Sequence, residues 1–221
     1  MVKQEIIKFR EFRMKRKYEI LLVSFLVLLF GDVVVGPNFN STPILIFQNV
    51  LASTIIFYGK RKWRYPLMLL LIFLASLFFA TFLINIPKIG LLFFSVYIIY
   101  FLFLSVEVYR QILKTKDVDI GMIAAVLCGF IILGLIGGYV FSIIEIMHPN
   151  SFNNLTEGLG GMSDLIYFSF ITIISIGYGD ITPATDIAQK MSLFFGLIGY
   201  FYGVVVIGII MGKYISQKHS K

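Results

Sequence analysis

Residues 173–183 read IISIGYGDITP and stand between two long hydrophobic runs. Gly-Tyr-Gly-Asp breaks a helix or seeks water, so its place in so apolar a chain needs a physical reason. A strand-to-helix loop that cradles phosphate is one, and a backbone segment lining a pore is another. The surrounding sequence separates them.

Of the 221 residues, 58% are hydrophobic and only 14% charged, with a mean hydropathy of +0.90. A soluble domain carries roughly 25% charged residues, so this composition is that of a membrane protein, with lipid as a partner. One cysteine, Cys128, and two histidines, His148 and His219, leave nothing for a disulfide framework or a zinc site of the usual spacing. No cofactor is expected. The net charge of +7 raises the question of nucleic acid, but the positions of the charges answer it differently.

A bilayer crossing needs about 20 apolar residues. Six runs qualify, at 18–35, 44–59, 67–85, 91–113, 120–147 and 191–212, the second being the shortest. Lysine and arginine alternate between the loops. Seven lie in residues 1–17, none in GPNFNSTP, four in KRKWR (60–64), and one in IPKIG. Three follow in 110–117, one between Met147 and Lys190, and three in the tail 213–221. The basic charge is therefore topogenic. It places both termini in the cytoplasm of a multi-pass cell-membrane protein, and nucleic acid is not an expected partner.

The run 165–175 rises only about 16 Å as a helix, half the hydrocarbon core. After the polar turret 148–163 the chain is expected to dip back as a pore helix, 164–175, capped by Ser163 or Asp164. The filter segment 175–180 then sits at membrane depth, where irregular backbone is tolerated only if it is buried in protein or lines water. A ring of main-chain carbonyls can replace the water shell of a cation. Turning successive carbonyls to one axis asks alternate residues for left-handed backbone, which Gly177 and Gly179 accept. The negative end of the short helix favours a cation below, and Asp180 concentrates cations at the outer mouth.

YFSFITIISIGYGDITP resembles the pore helix and signature filter of tetrameric potassium channels, usually Thr-Val-Gly-Tyr-Gly-Asp. The stretch after it is similar to the inner helix of small bacterial members. The specific resemblance covers about residues 120–215, and residues 18–113 match in topology only. It implies an all-α membrane protein of six transmembrane helices plus a re-entrant pore helix and filter loop, assembled as a homotetramer around a central pore. It implies potassium ions at the carbonyls of Ser175, Ile176, Gly177 and Tyr178, with Gly179 completing the filter and the Tyr178 ring packed back into the pore-helix cuff. Tyr167, Phe168, Thr172 and Asp180 would support it. Ser175 and Ile176 depart from the usual Thr and Val. Ile171 replaces a glutamate that in some members pairs with the filter aspartate, so that pair is not expected; Phe168 cannot donate to Tyr178, whereas Thr172 can.

In the last span Gly199 or Gly203 is the expected gating hinge, weighed evenly against close helix packing, while Gly134 and Gly138 read as packing residues. The fourth span has Arg110 at its end and no basic residue before it, so an arginine-type voltage sensor is not expected. Glu107 reads as the partner of Arg110, and Asp32 as a carboxylate near membrane depth. No cytosolic ligand domain is expected beyond the tail. Asn40 and Asn154 head glycosylation sequons, read as accidental. A weakly selective cation channel, a subunit of a potassium uptake transporter and a membrane enzyme with a nucleotide loop are the rival functions. The enzyme lacks a Cys/His/acid constellation and a ribose-binding acid.

Overall fold

The computed structural model describes residues 16–35, 48–49, 51–53, 56, 87–115, 118–156 and 161–219. The expected third span, most of the second, the N-terminal segment, the Asp32 side chain and Asn40 lie outside them. Among the described residues the elements are α1 (Lys17–Val35), α2 (Pro87–Lys114), α3 (Ile120–Met147), β1 (Phe152–Asn153), α4 (Met162–Ile173), β2 (Thr182–Pro183) and α5 (Asp186–His219), with β1 and β2 paired antiparallel. Among the described residues three helices are long and apolar enough to cross a membrane, over Gly90–Lys114, Ile120–Met147 and Asp186–Gln217. The short apolar helix Met162–Ile173 stands apart from them.

Helix α3 is the hub, packing on α1, α2, α4 and α5. Asp119 caps its start, where Oδ1 accepts from the Met122 amide at 2.7 Å. Towards α2 the contact is aromatic: Tyr97 lies edge-on to Phe101 (5.0 Å) and to Tyr139 of α3 (5.1 Å). Such edge-to-face pairs add to packing where lipid removes the ordinary hydrophobic drive between helices. Polar bonds fasten part of the second expected span to this core. Asn49 Nδ2 donates to Ser24 Oγ (3.1 Å), and the Tyr100 hydroxyl to Ser53 Oγ (2.5 Å).

Helix α4 lies in a groove that three glycines cut into α3. A Cβ on Gly134 would strike the Phe170 ring, one on Gly137 the Ser169 hydroxyl, and one on Gly138 the Ile166 Cα at 2.8 Å. Ser169 Oγ uses the close approach to donate to the Gly134 carbonyl at 2.7 Å. A second aromatic cluster closes the end nearest β1, with Phe141 edge-on to Phe152, Phe168 and Phe195 at 5.2–5.5 Å.

Several helix limits differ from the sequence reading: α2 starts at Pro87 and not at 91, and α4 and α5 depart further. Helix α4 starts at Met162 after a left-handed Gly161 (φ 57°), not at a Ser163 or Asp164 cap. The Asp164 carboxylate is taken by the Thr156 amide (2.6 Å) and hydroxyl (2.7 Å), so it ties down the turret instead. Helix α5 exceeds 191–212 at both ends. Thr185 opens it, accepting from the Ala188 and Gln189 amides. At the other end Lys213 Nζ donates to the carbonyls of Ile112, Leu113 and Thr115, which close α2, and Gln217 Oε1 accepts from the Val118 amide (3.1 Å). A lysine is suited to the negative end of a helix. That clasp carries α5 past Gly212.

Candidate pore site

The site begins where α4 stops. The Ser175 amide donates to the Thr172 carbonyl (3.0 Å) and the Ile176 amide to the Ile171 carbonyl (2.9 Å). These two bonds form a Schellman closure, which needs a left-handed residue just past the helix end. Ser175 fills that place with φ 61°, where glycine is the usual choice. Gly177 follows at φ 56° and Gly179 at φ 81°, whereas neither Ile176 nor Tyr178 has a positive φ. The chain therefore alternates in hand at 175, 177 and 179. Alternation of this kind turns successive peptide planes over, so that their carbonyls can face one side. The sequence assigned the two glycines to it, and the structure adds Ser175. A serine carries no propensity signal for this backbone, and its left-handed conformation costs roughly 1–2 kcal/mol.

No atom lies within 4 Å of a Cβ built on Gly177 or Gly179. Tyr178 is 71% exposed and Ile176 47%. The segment 176–179 therefore has little cover from its own chain.

Behind it the supports sort themselves. Phe168 and Ile171 are buried, Phe168 among Phe141 and Phe152. The Thr172 hydroxyl donates to the Phe168 carbonyl at 2.7 Å, one turn back on its own helix, so within this chain it is not spent on Tyr178. Asp180 does have a partner where Ile171 offers none: the Tyr167 hydroxyl donates to its Oδ2 at 2.7 Å. This bond holds the Asp180 carboxyl below its ordinary value. With the folded value depressed, the carboxylate–phenol bond is intact above the ordinary carboxylate range and is lost only as the pH falls below it. In Tyr167→Phe, acid titration of Asp180 should move up towards the ordinary carboxylate range, with the main-chain hydrogen bonds at Asp180 and Ile181 still holding it down. The midpoint of acid-induced current loss at the outer mouth reads this, and an unchanged midpoint would mean the phenol does not hold the carboxylate.

The inner helix brings its two candidate glycines to different surroundings. A Cβ on Gly199 would sit 2.6 Å from the Ile173 carbonyl oxygen, so this glycine admits the end of α4. Gly203 has nothing within 4 Å. Between them and the α3 backbone stands Tyr202, whose hydroxyl donates to the Val126 carbonyl at 2.6 Å. Arg110 pairs with Glu107 at 3.4 Å, one turn apart on α2.

Residues 125–216, which contain α4, the alternating segment 175–180 and both glycines of α5, match the family model described as "Ion channel". This part of the chain is similar to the pore domain of that family. It is distantly homologous to plant proteins. It is 36% identical over 72 residues to two pore potassium channel c of Oryza sativa subsp. japonica, covering 32% of this chain and 16% of that protein. To two pore potassium channel b of the same plant it is 30% identical over 102 residues, 45% of this chain and 26% of the relative. To two-pore potassium channel 2 of Arabidopsis thaliana it is 40% identical over 48 residues, 21% and 11%. The chain thus spans about a quarter or less of the length of these relatives. No solved structure matches it. The match is to a transport family and not to an enzyme, and the long apolar helices around the pore domain make this a multi-pass membrane protein.

Proposed function

We propose that the protein is a potassium-selective channel of the cell membrane, conducting passively through carbonyls of Ser175, Ile176, Gly177 and Tyr178, with Gly179 and Asp180 at the outer end. The observation that carries this reading is the alternation of left-handed residues at 175, 177 and 179 directly beyond a half-membrane helix. Its negative end adds to the attraction for a cation. The relatives' names, which specify potassium channels, point the same way.

One chain supplies one filter segment, and a closed ring of ligands needs four. The functional unit is a homotetramer with fourfold symmetry, with six spans per chain and both termini in the cytoplasm. The exposed segment 176–179 supports this, as does α5, where Leu193, Tyr200, Phe201 and Ile207 are all exposed. Tyr178, bare within its own chain, would be covered by a neighbour. Gly203 is the better hinge, because Gly199 is committed to α4. Arginine-type voltage sensing has no support in α2, whose Arg110 is paired at the helix end.

The test is the reversal potential of the purified protein in a planar bilayer, with potassium on one side and sodium on the other. A reversal close to the potassium equilibrium potential is expected. A reversal near zero would replace this reading by a weakly selective cation channel, with Ser175 and Ile176 as the loosened pair.

A further inference from the structure

Among the described residues, one turret side chain, that of Asn154, bonds to the segment proposed as the filter. At the end of α3 the Glu145 carboxylate accepts from the amides of Asn150 (2.8 Å) and Phe152 (3.1 Å), which fixes the start of β1. Phe152 and Asn153 then pair antiparallel with Pro183 and Thr182 of β2. Asn153 Nδ2 donates to Thr182 Oγ1 (3.0 Å), and the Ala184 amide to the Ser151 carbonyl (2.7 Å). The turret and the strand leaving the filter are thereby one unit.

Asn154 stands at the tip of that unit with φ 62°, a conformation asparagine adopts more readily than most residues. Its Nδ2 donates to the main-chain carbonyl of Asp180 at 2.8 Å. Asp180 is therefore held twice, from the pore helix through its carboxylate by Tyr167 and from the turret through its carbonyl by Asn154. It immediately follows Gly179, the last left-handed residue of the alternating run, so whatever fixes Asp180 fixes the outermost peptide planes of the filter.

We propose that Asn154 is a positioning residue for the outer end of the filter. Its amide nitrogen, the atom a sequon glycan would occupy, is committed to the Asp180 carbonyl and stops the Asp180–Ile181 peptide from rotating, which limits the turn of the Gly179–Asp180 peptide next to it. The proposal rests on the channel reading for its electrical readout and on backbone geometry alone for its second readout.

The full-length protein is compared with Asn154→Gly, which keeps the left-handed backbone and removes the donor, and with Asn154→Asp, which sets an acceptor against the carbonyl. Asn153→Ala, which loses only the bond to Thr182, is the comparator. Two quantities are read: the decay of current during sustained opening, and hydrogen exchange of residues 176–184. Both should accelerate about fivefold in Asn154→Gly, the weight of one hydrogen bond. They should accelerate more in Asn154→Asp and change less than twofold in Asn153→Ala, with the melting temperature of the assembly nearly constant. Unchanged decay and exchange in Asn154→Gly would overturn the proposal. So would a fall in melting temperature without faster exchange at 176–184, which is what a merely structural role produces. Should Asn154→Asp not assemble, Asn154→Gly decides alone. A wild-type reversal near zero would defeat the potassium reading and leave both comparisons intact, because decay is read on whatever cation flows and exchange requires no current.

Discussion

Gly138→Leu should keep the pore helix from docking and leave a protein that neither assembles nor conducts. A Cβ at this position would lie 2.7 Å from Ile166 Cγ1, 2.8 Å from Ile166 Cα and 3.2 Å from its nitrogen. A side-chain wall could turn aside, but a backbone wall cannot. Leucine adds three further carbons beyond that Cβ, so α4 must lift off α3 and give up the Ser169–Gly134 bond with it. Overpacking a filled core costs about 1–3 kcal/mol, and a wedge against backbone belongs at or above the top of that range. Lipid does not compensate, since helices associate in a bilayer through close packing between small residues. Gel filtration of the detergent-solubilised protein reads assembly directly. Gly208→Ala is the matched control. No atom lies within 4 Å of its Cβ, and the change should cost or gain less than about 1 kcal/mol. A Gly138→Leu protein that elutes and conducts like the wild type would mean that α4 does not lie in this groove.

Tyr178→Asp should abolish potassium preference and leave assembly largely intact. The residue lies between two left-handed glycines and is 71% exposed in its own chain, so its removal takes away little intrachain packing. In a fourfold ring the four rings would fill the space behind the carbonyls and set the width of the filter. An aspartate is too small to fill that space, and its charge draws water into it. The loss should appear as a reversal potential moved to near zero in the potassium–sodium bilayer experiment. Each tenfold loss of preference corresponds to about 1.4 kcal/mol. Tyr178→Phe, which keeps the ring, should stay close to the wild type. Retained selectivity in Tyr178→Asp would sink the carbonyl-ring assignment.

The same residues show how far the sequence reaches. The 28-residue apolar run between Asp119 and His148 has the limits of α3, because run length and flanking polarity are local properties and a bilayer reads them directly. Gly177 and Gly179 could be assigned left-handed backbone from their type alone. Ser175 could not, since what demands its conformation is the Schellman closure to Thr172 and Ile171, and any residue can be placed under that demand. Asp164 was legible as a residue of a helix start but not as the anchor of Thr156.

The pairings that hold the pore in place left no mark in the sequence. Ile171 has no group to offer Asp180, and the partner Asp180 has, Tyr167, sits four residues earlier on the same helix and reaches it only once the chain has turned back at Ser175. Asn154 meets Asp180 across 26 residues, and Lys213 meets the end of α2 across about 100. Gly199 and Gly203 look alike in the sequence, and only the end of α4 lying against one of them makes the first a contact and leaves the second open. The sequence by itself determined that the chain is apolar enough to live in lipid, where α3 runs, and that a short helix is followed by backbone able to alternate in hand. Those are consequences of segment length and of what single residues permit at φ. Which donor holds each end of Asp180, which glycine carries a helix and where α5 ends were decided by tertiary structure, because a hydrogen bond or a backbone contact between distant segments depends on where packing brings them and not on the residues beside them.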